Sequence, residues 1–117
     1  MEKEFVTYEI ALKLKELGFD ETCFCQYSKN EFIDITGRYK NSHFNKEDQI
    51  AAPLWQQAIE WFRKRNLIID LSMVENGSDN WRYAVNQKWE YFRGSYEKDR
   101  EQAILRSIDL WNIFGSR

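Results

Sequence analysis

The stretch Ala51-Ala52-Pro53-Leu54-Trp55-Gln56-Gln57-Ala58-Ile59-Glu60-Trp61-Phe62-Arg63-Lys64-Arg65-Asn66-Leu67 decides how the chain is read. Leu54, Ala58, Trp61 and Arg65 recur at helical spacing, and Trp55, Ile59 and Phe62 form the adjacent stripe. Together they predict a helix with a wide apolar face. Pro53 suits its first turn, where a backbone N–H has no partner in any case. Arg63, Lys64 and Arg65 close it, complementing the negative end of the helix dipole. Asn66 is a left-handed cap, after which the chain runs into a strand.

Working back towards the start, Thr7 caps a helix from about Tyr8 to Leu17 that Gly18 ends. Ile10, Leu14 and Leu17 give its apolar stripe, with Ala11 alongside. Thr22–Ser28 and Phe32–Thr36 read as a hairpin, with Cys23, Cys25 and Tyr27 on one face and Phe24 and Gln26 on the other. Residues 37–49 are the one long polar connection, of a length that in a small domain points to function or mobility.

Towards the end of the chain, Leu67, Ile69, Leu71 and Met73 alternate with Asp70 and Ser72. Asn76-Gly77 is a strong turn signal, and Trp81–Asn86 returns with Trp81, Tyr83 and Val85 on one face. Gln87–Gly94 is an aromatic link, and Ser95 caps a last helix to about Asn112. The core face of that helix is Ala103, Ile104, Ser107, Ile108 and Trp111.

The reading is therefore α+β, a single domain over residues 1–117 in the order α-β-β-α-β-β-α. Two α-β-β halves occupy about 7–36 and 53–87, with the C-terminal helix at about 95–113. The expected architecture is one four-stranded, largely antiparallel sheet with helices mainly on one face.

Composition narrows the function. At 117 residues, 31% charged and 43% hydrophobic, the chain is long enough to bury a core and is not of disordered type. Its net charge of −2 runs against a dedicated duplex-DNA binder, which carries a basic surplus. No apolar run approaches the roughly 18 residues of a membrane span, and none forms a basic amphipathic membrane-surface helix. Met1-Glu2-Lys3-Glu4-Phe5 is not a signal peptide, so the expectation is a cytoplasmic protein with free cysteines.

No pattern implies a catalytic residue, a metal or a cofactor. Cys23 and Cys25 share a strand face with poor geometry for a mutual disulfide, and His43 is the single histidine. Nucleotide, zinc-protease, serine-hydrolase and calcium-loop motifs are missing. Acid–base chemistry would fall to Glu9, Asp34, Asp70 or Glu90, which show no informative spacing.

What stands out is the aromatic content: five Trp, six Tyr and eight Phe. Trp55, Trp81, Tyr83, Trp89, Tyr91, Phe92 and Tyr96 exceed the evident needs of one small core. The plain reading is that rings fill gaps between helices and a twisted sheet. The functional reading makes Trp81, Tyr83, Trp89, Tyr91 and Phe92 a surface for a protein partner or a homodimer. A rival, not favoured, is single-stranded nucleic-acid binding, with Arg38, Lys40, Lys46, Arg63, Lys64 and Arg65 on phosphates and exposed rings stacking bases. A second rival is a small enzyme with a carboxylate-based site.

Lys15-Glu16-Leu17-Gly18-Phe19-Asp20-Glu21, the helix from Ala51-Ala52-Pro53 to Trp61-Phe62-Arg63, and Ser95-Tyr96-Glu97 carry a likeness. On these segments the chain resembles a family of small, uncharacterised proteins encoded in bacterial phage and other mobile elements. It departs after Glu97, where Lys98-Asp99-Arg100 makes the helix start more charged. The resemblance implies a phage-associated, cytoplasmic setting and brings no site residue with it.

Overall fold

The computed structural model describes residues 4–28, 33–35, 37–44, 49–73 and 81–115; within these the side chains of residues 33, 34, 43, 90–94, 114 and 115 fall outside the description. The chain is α+β and divides into two compact units, residues 1–58 and 59–117. Each unit has its own three-stranded antiparallel sheet. The single four-stranded sheet expected from the sequence is therefore corrected, because a third strand joins each hairpin.

In the first unit, α1 (Tyr8–Glu16) begins at Thr7, whose hydroxyl accepts from the Ile10 N–H at 3.3 Å. It ends at Gly18, which takes φ +96°, a conformation that costs glycine little. Gly18 N–H donates to Lys15 C=O and Phe19 N–H to Leu14 C=O, the paired bonds of a Schellman end. The sheet has β1 (Cys25–Tyr27) at its centre, between β2 (Ile33–Asp34) and β3 (Ile50–Ala52). Cys25, Gln26 and Tyr27 lie opposite Ala52, Ala51 and Ile50. Helix α1 packs against β3. Val6, Ile10, Ala11, Leu14, Phe19, Cys23, Cys25, Ile50, Ala51 and Ala52 are buried.

β3 explains one missed strand. Ala51 and Ala52 favour helices in isolation, and the run is too short to alternate. Yet the residue before a proline is pushed to extended backbone, and Pro53 C=O accepts from Val6 N–H at 3.0 Å. Leu54 bridges to Phe5, so α2 (Trp55–Arg63) starts two residues after Pro53. Its end follows the expectation. Asn66 takes φ +65°, and Asn66 and Leu67 N–H donate to Arg63 and Phe62 C=O, a second Schellman end.

The long polar connection is pinned over its described part. Cys23 and Tyr39 exchange two backbone bonds of 2.7 Å. Asn41, at the head of a 3-10 turn (Asn41–His43), donates from Nδ2 to Phe19 C=O at 2.8 Å and accepts at Oδ1 from Ala51 N–H at 2.9 Å. Asp20 Oδ1 accepts from Ser42 N–H at 2.7 Å.

In the second unit, β4 (Ile69–Met73), β5 (Trp81–Val85) and β6 (Lys88–Gly94) pair in that order. The expected Asn76-Gly77 turn lies outside the described residues. β6 is the segment read from sequence as a link. It is reached through Asn86 and Gln87 at φ +55° and +70°, both positive as a two-residue I′ hairpin turn requires. Asn86 is held by Ile68: its N–H donates to Ile68 C=O at 2.8 Å and its Oδ1 accepts from Ile68 N–H at 2.9 Å. α3 (Tyr96–Leu110) packs on all three strands. Ser95 caps it, its hydroxyl accepting from Lys98 N–H, and a π-helical turn (Trp111–Gly115) ends it. Ala103, Ile104, Ser107 and Ile108 are buried as expected, whereas Trp111 is half-buried. No helix among the described residues is long and apolar enough to cross a membrane.

Candidate functional site

The second sheet sorts the aromatic residues by role. Tyr83 is 7% exposed at the centre of β5 and belongs to the core. Trp81 is half-buried, its ring edge-on to Tyr96 at 4.9 Å and 70°. Trp89 differs. It is 40% exposed, a large fraction for an indole in a strand. Trp89 lies opposite Ala84, which lies opposite Asp70. In the next row of the same face, Arg82 lies between Ser72 and Tyr91. The Arg82 guanidinium reaches diagonally over the Trp89 ring, 4.3 Å from its centroid. At an exposed site such a cation–π pair favours this orientation of the indole by about 0.5–1 kcal/mol. Tyr91 and Phe92 are on β6, with their side chains outside the described residues.

The described basic residues fall in both units. Arg38 is exposed and Lys40 half-buried, both in the first unit; Lys46 lies outside the described residues. In the second unit, Arg63 bonds Glu60 at 2.9 Å. That hydrogen bond holds the Glu60 carboxyl below its usual range and raises Arg63. Lys64 is exposed. Arg65 lies 3.7 Å above the Trp61 ring and donates to Trp61 C=O at 3.1 Å, so it closes the helix as its dipole favours.

Glu9 pairs with Lys13 at 3.5 Å on the surface, and Asp70 is exposed. The side chains of Asp34, Glu90 and His43 lie outside the described residues. No three His, Cys, Asp or Glu side chains come together as a metal-holding group among the described residues. Cys23 and Cys25 are both buried, and neither is in a disulfide. Burial, with Glu21 and Cys25 adding to it, pushes the Cys23 thiol up to about 12, far from the thiolate needed for nucleophilic work. A disulfide-exchange reagent at pH 8 is expected to leave Cys23 and Cys25 unmodified in the native protein and to titrate both within minutes in denaturant. Rapid native labelling would contradict their burial.

Two features went unread in the sequence. Phe24 is 59% exposed between the two buried cysteines; strand alternation placed it off their face without showing that nothing covers it. Asp99 is fully buried on α3. It lies one turn before Ala103, so helical period was a signal for it that its charge masked. Set against protein-family models, curated proteins and solved structures, the chain matches none.

Proposed function

We propose that the chain is a non-enzymatic protein-interaction module whose contact surface is the Arg82–Trp89 face of the second sheet, with a second copy of the chain as its first partner. The observation that carries this reading is the exposed Trp89 ring held under the Arg82 guanidinium. Trp and Arg are the residues that most often dominate interface energies, because a rigid ring buries much area at little entropic cost. An isologous two-fold pair is the commonest way for one such patch to meet another. The resemblance to small phage-encoded proteins favours a phage-associated, cytoplasmic accessory role.

Nucleic-acid binding is the weaker reading, since Arg63 and Arg65 are already engaged within their own helix and the net charge is −2. The test is sedimentation velocity of the wild-type protein across the micromolar range, with a parallel fluorescence titration against short single-stranded DNA and RNA at low salt. The expected result is a mass that rises with concentration and a flat titration. A constant monomer mass with a saturable, salt-sensitive fluorescence change would replace this reading with the nucleic-acid one.

A further inference from the structure

Asp99 has no evident use in the surface just described, and its setting is unusual. It is 0% exposed, and neither carboxylate oxygen has a hydrogen-bond partner among the described residues. It lies in the first turns of α3, its backbone N–H donating to Ser95 C=O at 3.0 Å. Ala103 and Ser107 continue the same stripe at i+4 and i+8, and both are buried. Ser107 shows what a satisfied polar group on this stripe does: its hydroxyl donates to Ala103 C=O at 2.9 Å. Asp99 has no equivalent.

The charged and titratable groups on the elements packed against α3 are few. They are Asp70 on β4, Arg82 and Tyr83 on β5, and Lys88, Glu90, Tyr91 and Arg93 on β6, the last three with side chains outside the described residues. Arg82 is over Trp89, and on α3 itself Arg100 is over Tyr96 at 5.3 Å. Glu97, Lys98, Glu101, Arg106 and Asp109 complete the charges of the helix. None of the described groups bonds the Asp99 carboxyl.

A buried carboxyl without a donor tolerates a proton far better than a charge. The positive end of the helix dipole favours the anion, but by less than desolvation disfavours it when no donor is in place. We propose that the seating of α3 on the β4–β5–β6 sheet is proton-dependent: with Asp99 protonated the helix packs closed, and with Asp99 ionised it loosens. Burial raises the Asp99 carboxyl above its ordinary range, in the direction this device needs.

The sign follows from linkage. Below the ordinary carboxylate range Asp99 is protonated whether the chain is folded or not, and it costs nothing extra. As pH rises from there to the raised folded value, the folded state alone must hold the proton, and stability falls. Above the folded value the loss is complete and the curve flattens.

Thermal unfolding of wild type and Asp99→Asn between pH 4 and 9 tests this. The variant's Tm advantage is expected to be smallest in acid, to widen by several degrees towards neutral pH and then to level off. Parallel curves for the two proteins would overturn the proposal. A second measurement stands even if the variant fails to fold. A carbon-detected NMR titration of the wild-type carboxyls is expected to show Asp99 titrating above the other Asp side chains, with α3 amides losing protection at the same midpoint. Titration of Asp99 with the others, or unchanged protection of α3 through its midpoint, would equally overturn it.

Discussion

Replacing Trp61 with alanine is expected to remove about 3–5 kcal/mol of stability, the range for truncating a fully buried aromatic. Trp61 is 2% exposed. Its ring stands edge-on to Phe62 at 5.0 Å and 82° and to Trp111 at 6.2 Å and 68°, with the Arg65 guanidinium 3.7 Å above it. Truncation therefore opens a cavity, strips two ring contacts and leaves a cation without its aromatic face. Natural domains hold only roughly 5–15 kcal/mol in total. The variant should show a large fall in denaturant midpoint with little change in m, read by circular dichroism. A loss below about 1 kcal/mol would mean that the site repacks and that Trp61 is not a core anchor.

Replacing Trp89 with serine is expected to do the reverse. The ring is 40% exposed and lies on the sheet face opposite to Tyr83 and Val85, so its loss leaves those two core residues in place. Unfolding should shift little, since surface changes away from special features stay within about 0.5 kcal/mol; losing the Arg82 stack adds about as much again. Association should suffer far more. An interface hot spot is worth about 2 kcal/mol or more, which is roughly a thirtyfold weakening. Sedimentation would read that as loss of the heavier species at concentrations where wild type shows it. If circular dichroism is lost instead, Trp89 is a structural residue and the proposed surface fails.

The two rings show what was legible in the sequence. Helical period identified Trp61 as core, because six apolar positions from Leu54 to Phe62, Trp61 among them, define one wide stripe. The helix ends were equally readable. Thr7 and Ser95 accept the bonds a cap accepts, and Gly18 and Asn66 take the positive φ that ends α1 and α2. These signals are local, and a short stretch of chain carries all of their physics.

What escaped was set by distant partners. Ile50–Ala52 is a strand because β1 pairs with it and Val6 bonds Pro53 beside it, not because of any preference of alanine. Lys88–Gly94 was hidden by its turn. Asn86-Gln87 has no glycine to announce two positive φ values, and Ile68, far back in the chain, holds Asn86 in place. Once β6 is a strand, the aromatic residues read as a link acquire faces. Only then does Trp89 separate from Tyr83 as exposed against buried.

On the proposed function, Trp89 is where this chain meets a partner. The most direct test follows the five tryptophan indole N–H resonances of the labelled protein as its concentration is raised, with Trp89 assigned through the Trp89→Ser variant. The Trp89 signal is expected to move as the mass rises while the Trp61 signal stays fixed. A Trp89 resonance that holds still while the protein associates, or a protein that never associates, would contradict it.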